Sequence, residues 1–302
     1  MRASETGDAA EAVDHDVVVV GGGPAGCAAG VVTARYGLDT VVFDRGRSSI
    51  RRCAYLENYL GFPAGIDIET LYGLIHDHAE QAGCEIVADL VESLERAEDH
   101  QGFRVRTQDG DGVTARRVIA ATRYDGEYMR GLDDETAMFE TVEYGGAERE
   151  HFDKRYAESD GTTPVDGLFV ASPYGETGYQ ASMAAGRGTR VGITVVEAVR
   201  RERGYPDPIA NHYDWMRRAA EFDDERSDRE QVGERFDERL PDDHGLEAAR
   251  LAELREREVD RRLATHLSAA EIERRTEHGQ KRLLEHIDDD LIRQAARDIE
   301  SE

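Results

Sequence analysis

The chain of 302 residues carries 64 acidic and 38 basic residues, which gives a formal net charge of −26. This charge disfavours nucleic acid as a partner, because phosphate groups bind cationic surfaces. No run of about 18 apolar residues is present to span a membrane. Lysine occurs only at Lys154 and Lys281, and an acidic surface poor in lysine predicts a protein adapted to a salt-rich cytoplasm.

The start of the chain and the cysteines agree with a cytoplasmic location. Residues 1–13 are polar and predict a disordered leader, since they lack the hydrophobic core of a secretory signal. The three cysteines, Cys27, Cys53 and Cys84, form no CxxC pair. Neither they nor the ten scattered histidines show a metal-ligand spacing. We therefore predict no metal site.

A βαβ unit follows the leader. The run from Asp16 to Val20 predicts a buried strand, which a glycine turn joins to a helix of small residues from Pro24 to Tyr36. A second strand is predicted from Thr40 to Phe43. Short connections between alternating elements of this kind are typical of an α/β fold with a parallel sheet.

Further helices and strands continue this alternation. Residues 67–82 have apolar side chains at helical spacing, and a helix of small residues is predicted from about Gln180 to Arg201. Residues 133–163 are polar and weakly patterned, so we interpret them as a connecting segment. The remaining strands are predicted in the sequences CEIVAD, FRVRTQ, RRVIAAT and GLFVAS.

The composition changes at Tyr205, after which charged stretches hold sparse apolar residues at helical spacing. The sequence SAAE, Ser268 to Glu271, predicts a helix that begins with a capping box. The acidic run 288–290 precedes a last short helix. Residues 205–302 are therefore predicted to form an acidic, mostly helical extension that packs on the preceding domain or associates with itself.

The glycine turn is the clearest candidate for a binding site. Gly21, Gly23 and Gly26 fit the GxGxxG pattern, which permits a tight turn, a close approach of a diphosphate and close packing of helix on strand. The N-terminus of the helix would face the anion. Asp44 ends the second strand and is placed to accept hydrogen bonds from a ribose. We predict a nucleotide site, and FAD rather than NAD; the alternative is a glycine turn without a ligand.

Four segments resemble the FAD domain of the thioredoxin reductase group of pyridine nucleotide-disulphide oxidoreductases. They are VVVVGGGPAGCAAG, LENYLGFPAGIDIETL, RVIAATR and GLFVASPYGETGYQASMAAGRG, and they occur in the order typical of that family. The resemblance covers about residues 14–201. It implies that Asn58 lies against the flavin and that Gln180 and Ala181 open the helix below the flavin ring.

The resemblance implies an α/β fold. We expect a Rossmann-like FAD-binding domain over residues 14–204, with a parallel sheet, helices on both faces and a small antiparallel sheet, followed by the helical extension. The implied cofactor is FAD. Its predicted binding residues are Gly21, Gly23, Pro24, Ala25, Gly26, Asp44, Arg45, Asn58, Ala121, Thr122, Gln180 and Ala181.

The sequence also departs from the family pattern. No second GxGxxG and no CxxC occur, and residues 133–163 are too few to form the NADPH domain that this family inserts there. Arg123 stands where the family has glycine, and Ser172-Pro173 replaces the Gly-Asp whose aspartate holds the ribityl chain. Losing that hydrogen bond costs about 1.5–3 kcal/mol. We expect weakened but retained FAD binding, with Ser172 and Glu176 as partial substitutes.

Cys53 is the candidate redox residue, because other branches of the superfamily place a redox cysteine at a similar distance after the ribose-binding acid. Arg51 and Arg52 beside it would increase the thiolate fraction. The alternative is a loop cysteine without chemistry. Cys27 and Cys84 are predicted to be packing residues.

These features favour an FAD-dependent oxidoreductase that receives electrons from a separate donor, either a redox protein or a small molecule such as NAD(P)H. A non-catalytic nucleotide-binding or regulatory module with a degenerate flavin site is the alternative. A third possibility is a flavin-dependent biosynthetic enzyme of the geranylgeranyl or thiazole-forming classes. The segment ENYLGFP argues against this third possibility. The resemblance also implies a homodimer.

Overall fold

The computed structural model describes residues 13–97, 101–110, 112–123, 125–144, 147–172, 174–175, 180–212, 217–219 and 228–301. The chain divides into two compact units. The first comprises Met1–Ile68 with Ile75–Thr194, and the second comprises Glu69–Leu74 with Val195–Glu302. The sequence-based domain boundary between residues 204 and 205 stays a prediction.

The first unit contains most of the strands. Its helices are α1 (Pro24–Arg35), the larger part of α2 (Ile68–Ala82), α3 (Glu135–Met138) and the first part of α4 (Ala181–Glu202). Its strands are β1 (His15–Val20), β2 (Thr40–Phe43), β3 (Tyr55–Leu56), β4 (Ile66–Asp67), β5 (Glu85–Val87), β6 (Val91–Arg96), β7 (Phe103–Thr107), β8 (Val113–Ala121), β9 (Phe139–Tyr144), β10 (Ala147–Phe152) and β11 (Leu168–Ser172).

The central sheet has the order β5-β2-β1-β8-β7-β6, and β11 pairs with the C-terminal half of β8. Strands β5, β2, β1, β8 and β11 are parallel, whereas β6 and β7 run antiparallel beside the start of β8. Because parallel strands end at the same edge of a sheet, the residues that follow β1, β2 and β8 lie together there. This edge positions the candidate site.

Small residues let two helices pack closely on each other and on the sheet. A Cβ atom at Gly30 of α1 would lie 3.0 Å from the Cys84 sulfur, and a Cβ atom at Gly188 of α4 would lie 1.9 Å from the carbonyl oxygen of Ala25. Side chains at these glycines would push the helices apart. Gly188 therefore permits the close approach of α4 to α1, and Gly30 permits the close packing of α1 on Cys84 and the sheet.

The segment predicted as a connection, residues 133–163, contains regular structure. Asp134 caps α3 by accepting a hydrogen bond from the N–H of Thr136, and β9 and β10 form an antiparallel hairpin. Phe139 and Phe152 of this hairpin are buried and contact each other edge to face. The sequence pattern hides these strands because most of the residues between the two phenylalanines are charged or polar.

The second unit is mostly helical, as predicted from its sequence. It includes α5 (Asp207–Ala210), β12 (Arg218–Ala219), α6 (Arg229–Asp237), α7 (Ala248–Leu263), β13 (His266–Leu267), α8 (Ala269–Leu284) and α9 (Asp289–Ser301), besides the end of α4. Ser268 caps α8 as predicted, since its hydroxyl accepts a hydrogen bond from the N–H of Glu271 at 3.2 Å. The small parallel pair of β12 and β13 was not predicted.

A buried arginine organises the core of the second unit. Arg200 is fully buried, and its guanidinium donates to the carbonyl oxygens of Ala210 (2.8 Å) and Ile209 (2.7 Å) and to the Glu258 carboxylate (3.0 Å). The same guanidinium lies over the ring of Tyr205. These acceptors, which contact Nε and one terminal nitrogen, offset much of the cost of burying the charge.

The predicted α/β class is confirmed, with a mainly parallel central sheet, a small antiparallel sheet and packed helices. Strand β2 has the predicted bounds, and β1, α1 and α2 differ from the predicted bounds by one residue. None of the helices in the described part of the chain is long and apolar enough to cross a membrane.

Candidate functional site

The glycine turn between β1 and α1 has no room for side chains. Gly21 has a φ of +112°, and a Cβ atom there would lie 2.6 Å from the carbonyl oxygen of Ala121 at the end of β8. A Cβ atom at Gly26 would lie 1.8 Å from the carbonyl oxygen of Gly21. Gly23 is the N-cap of α1, so it offers no side chain to the N–H groups of the first turn. These N–H groups are therefore available to an anion.

Asp44 faces the turn from the end of β2. Its side chain is 7% exposed, and one carboxylate oxygen accepts a hydrogen bond from the N–H of Gly46 at 3.0 Å. A Cβ atom at Gly22 would lie 2.5 Å from the Asp44 Cβ, so the carboxylate lies directly against the turn. This is the position that the sequence predicted for a ribose-binding acid.

His76 is a site residue that the sequence did not reveal. Its Nε2 lies 2.8 Å from the carbonyl oxygen of Gly22 and 3.5 Å from an oxygen of the Asp44 carboxylate. Helix α2 thus contributes a side chain that contacts both the glycine turn and the acid. No motif marks this histidine, because only the packing of α2 beside the turn brings it there.

A cavity of about 580 Å³ opens at this edge of the sheet, a volume within the range of about 300–1,000 Å³ typical of small-molecule sites. Its wall includes the glycine turn, the segments that follow β2 and β8, and the start of α4. Gly26 lies outside the wall, inside α1. The other predicted cofactor-binding residues all line it: Gly21, Gly23, Pro24, Ala25, Asp44, Arg45, Asn58, Ala121, Thr122, Gln180 and Ala181.

Two motifs that are far apart in sequence meet in this wall. The side-chain amide of Asn58 donates a hydrogen bond to the side-chain oxygen of Gln180 at 2.7 Å. Their contact joins the segment after the 3₁₀ helix Ser49–Arg52 to the start of α4. Both side chains keep further donors and acceptors with which to bind a ligand.

The positions that depart from the family pattern also line the cavity. Arg123 has a φ of 64°, and among the described residues it is the one non-glycine residue with a positive φ. Its N–H donates to the carbonyl oxygen of Ser172 at 3.2 Å, and its side chain donates to the Ser49 hydroxyl at 2.9 Å. Pro173 and Glu176, which the sequence analysis also considered, lie outside the described residues.

The residues after β8 hold one another in place. The Thr122 hydroxyl donates to the carbonyl oxygen of Asp125 and lies 3.2 Å from the Tyr128 hydroxyl. Burial raises the pKa of Tyr128 well above its ordinary value. The Asp125 carboxylate pairs with Arg45 at 2.9 Å, which ties this loop to the segment after β2.

The cysteines differ in accessibility as the sequence predicted. Cys53 is exposed and lines the cavity. Cys27 is buried, its thiol donates to the carbonyl oxygen of Gly22 at 3.3 Å, and burial raises its pKa far above the ordinary value. Burial also raises the pKa of Cys84 to about 12. Within the described part of the chain, no group of three His, Cys, Asp or Glu residues forms a candidate metal site.

The formal charges in the cavity wall balance, unlike those of the whole chain. The described residues of the wall include Arg45, Arg47, Arg52 and Arg123 together with four carboxylates, whereas the whole chain has 64 acidic and 38 basic residues. Of these arginines, the sequence analysis placed only Arg45 at the site. Arg47 and Arg52 reach the wall on the segment that follows β2.

Comparisons with known proteins agree with this architecture. Residues 15–130 match the family described as pyridine nucleotide-disulphide oxidoreductase. A thioredoxin reductase from Aquifex aeolicus is 30% identical over 110 residues, which are 36% of this chain and 33% of that protein. One from Listeria innocua is 30% identical over 139 residues, 45% of this chain and 42% of that protein. The chain thus matches less than half the length of these relatives.

Solved structures show the same fold. A thioredoxin reductase from Gloeobacter violaceus superimposes with a TM-score of 0.52 at 18% identity, covering 68% of this chain and 98% of that one. A thioredoxin reductase-like protein from Bacillus anthracis gives a TM-score of 0.50 at 14% identity, covering 63% and 99%.

The fold is Rossmann-like, and the cavity lies at the edge of the sheet where the parallel strands end. Over residues 15–130 the chain is similar to the pyridine nucleotide-disulphide oxidoreductase family and to thioredoxin reductases, so the resemblance stated from the motifs is confirmed.

Proposed function

We propose that this protein is an FAD-dependent oxidoreductase that exchanges electrons with separate partners. The observation that carries the proposal is the cavity in which the glycine turn, Asp44 and the Asn58–Gln180 pair meet. The match of residues 15–130 to the pyridine nucleotide-disulphide oxidoreductase family supports an oxidoreductase at a general level. The cofactor, the partners and the reaction are our inference.

The residues of the cavity suit FAD. The N-terminus of α1 would hold the diphosphate, because its N–H groups have no side-chain cap and Gly23 leaves the backbone accessible. Asp44 would accept hydrogen bonds from the adenosine ribose. Asn58 and Gln180 would contact the ring system with the donors and acceptors they do not use on each other. Bound flavin supplies hydride and single-electron transfer, while the protein orients and insulates it.

The connection between β8 and β11 supports the proposal of a separate electron donor. In the described residues of that connection we find a 3₁₀ helix (Glu127–Met129), α3 and the hairpin of β9 and β10. The sequence contains one GxGxxG pattern, and its three cysteines form no CxxC pair. We propose a redox protein or freely diffusing NAD(P)H as donor, and a homodimer as the assembly.

The visible absorption spectrum tests the proposal. Protein purified in molar KCl is incubated with FAD, and unbound FAD, which is itself yellow, is removed by gel filtration. The protein fraction should show two flavin bands, and dithionite should bleach them until air restores them. The variant Asp39→Asn serves as a control, because Asp39 lies at the opposite end of β2 from the cavity. A wild-type protein that leaves the column colourless after incubation with excess FAD would contradict the proposal.

A non-catalytic nucleotide-binding module is the second candidate, favoured by Arg123 and Ser172 at positions where the family pattern has glycines. Such a module would bind ADP as tightly as FAD, since the flavin half would add no affinity. Calorimetric titration with both ligands separates the two functions. Tighter binding of FAD favours the oxidoreductase.

A further inference from the structure

Arg123 combines an unusual backbone conformation with a place in the cavity wall. Its φ of 64° lies in the left-handed region, which an arginine adopts at a cost that glycine does not incur. Conformations of this kind persist where the surroundings enforce them, and they cluster at ligand sites. The backbone conformation alone does not assign a role to Arg123, so the contacts of its side chain have to be considered.

The side chain of Arg123 connects two walls of the cavity. It starts at the end of β8, and its guanidinium donates to the hydroxyl of Ser49, at the start of the 3₁₀ helix Ser49–Arg52. The neighbouring Ser48 hydroxyl lies 2.7 Å from where a Cβ atom of Gly23 would be. The guanidinium is therefore held beside residues that abut the N-terminus of α1.

Arg123 and the N-terminus of α1 are two positive groups that line the same cavity. The N-terminus of α1 carries a partial positive charge, and its first turn, PAGC, contains no acidic residue. An anion that binds both groups would be stabilised by both. A diphosphate fits this requirement, since guanidinium groups donate two parallel hydrogen bonds to phosphate oxygens.

We propose that Arg123 binds the diphosphate of the dinucleotide, and that it supplies affinity that the residues at Ser172-Pro173 do not provide. The inference rests on the proposed function and deepens it, since it assigns the diphosphate, rather than the flavin ring or the ribose, as the group that Arg123 recognises. Arg123 is a specificity residue and takes no part in electron transfer.

The test compares Arg123→Gln with Arg123→Lys, which share the strained backbone position but differ in charge. Affinities for FAD, ADP and adenosine are measured by calorimetry at several KCl concentrations. We expect the Gln variant to bind FAD and ADP about 10- to 100-fold more weakly, the effect of losing one hydrogen bond to a charged group. Its affinity for adenosine should equal that of the wild type, and the Lys variant should retain most of the ADP affinity.

Salt gives a second readout that a purely structural role would not change. The affinity of wild-type protein for ADP should fall as KCl screens the contact, and that of the Gln variant should fall less. Arg123→Gly should leave the unfolding midpoint of the ligand-free protein unchanged or higher, because glycine adopts this φ without strain. That result would show that the arginine does not stabilise the ligand-free fold, which leaves the affinity measurements to establish its role in binding.

Three outcomes would overturn the inference, and they are distinguishable. If the Gln variant binds FAD and ADP as tightly as the wild type, Arg123 does not contact the diphosphate, while the proposed function stands. Equal losses for ADP and adenosine would show that Arg123 acts by shaping the cavity. A wild-type protein that binds neither FAD nor ADP would overturn the proposed function together with the inference.

Discussion

At the scale of single residues, the acid at the end of β2 has a defined hydrogen-bonding environment. One carboxylate oxygen of Asp44 accepts from the N–H of Gly46, and the other lies 3.5 Å from His76. The same histidine contacts the carbonyl oxygen of Gly22 in the glycine turn. His76 of helix α2 therefore holds Asp44 and the glycine turn in a fixed position relative to each other.

The substitution Asp44→Asn tests the ribose contact. Asparagine keeps the size of the side chain and can still accept from Gly46, but it loses the charge and one acceptor. We expect affinity for FAD and ADP to fall about 10- to 100-fold, as for the loss of a charge-assisted hydrogen bond. Fluorescence titration measures the affinities. Unchanged affinity for adenosine would show that this carboxylate does not bind the ribose.

Cys53 is predicted to be the reactive thiol of the native protein. It is exposed in the cavity wall, whereas Cys27 and Cys84 are buried with raised pKa values. Titration with a disulfide reagent at pH 8 should label one thiol rapidly, and all three after unfolding. Excess FAD should slow the labelling, because ligand in the cavity would shield this thiol.

The variant Cys53→Ser provides the control for that experiment and tests the redox role. Rapid labelling should disappear, and FAD binding should remain. If any flavin-linked reduction of disulfides is also lost, Cys53 carries the redox step. Undiminished activity in the serine variant would leave it as a loop cysteine without chemistry.

At the scale of elements, the close approach of α1 and α4 makes a matched pair of glycines informative. A Cβ atom at Gly188 would lie 1.9 Å from the carbonyl oxygen of Ala25, a backbone atom that cannot rotate away. A Cβ atom at Gly186 would have no described heavy atom within 4 Å. Both glycines are in α4, so helix propensity affects them alike.

We expect Gly188→Ala to lower the free energy of unfolding by about 1–3 kcal/mol or more, the usual cost of overpacking. In contrast, Gly186→Ala should raise it by about 0.5–1 kcal/mol, because alanine is the better helix former. Chemical denaturation of both variants measures the difference. Equal effects at the two positions would mean that α4 does not approach α1 as closely as described.

The elements near the glycine turn could be predicted because their signals are local. A run of valines, three glycines and an acid define β1, α1 and β2 within a short stretch of sequence. Strand β6 and the hairpin of β9 and β10 were missed, since polar residues on their exposed faces obscure the alternation. Short, acidic strands give a weak signal to any method that depends on hydrophobic periodicity.

The candidate site was predictable only in part, for a related reason. All the predicted cofactor-binding residues except Gly26 line the cavity wall, and Asn58 and Gln180 bond across 122 residues of sequence. His76, Ser48 and Ser49 were not predicted. They reach the site through tertiary packing, which leaves no pattern in the sequence around them.

At the scale of the whole molecule, the net charge of −26 is the dominant feature. Many carboxylates pair with arginines along the helices of the second unit, for example Glu271 with Arg274 and Arg275. Exposed pairs of this kind contribute little to stability individually. The excess of acidic over basic residues leaves repulsion that such pairs do not cancel.

Salt should therefore stabilise the protein through screening. We expect the thermal unfolding midpoint to rise steeply between about 10 mM and 1 M KCl, as the Debye length falls from about 30 Å to about 3 Å. Circular dichroism measures the midpoint. Sodium chloride and tetramethylammonium chloride of equal ionic strength serve as controls. Screening should raise the midpoint equally in all three salts, whereas specific binding of potassium would raise it in KCl alone. A midpoint independent of salt would show that repulsion between carboxylates does not limit stability, and that the acidic composition has another cause.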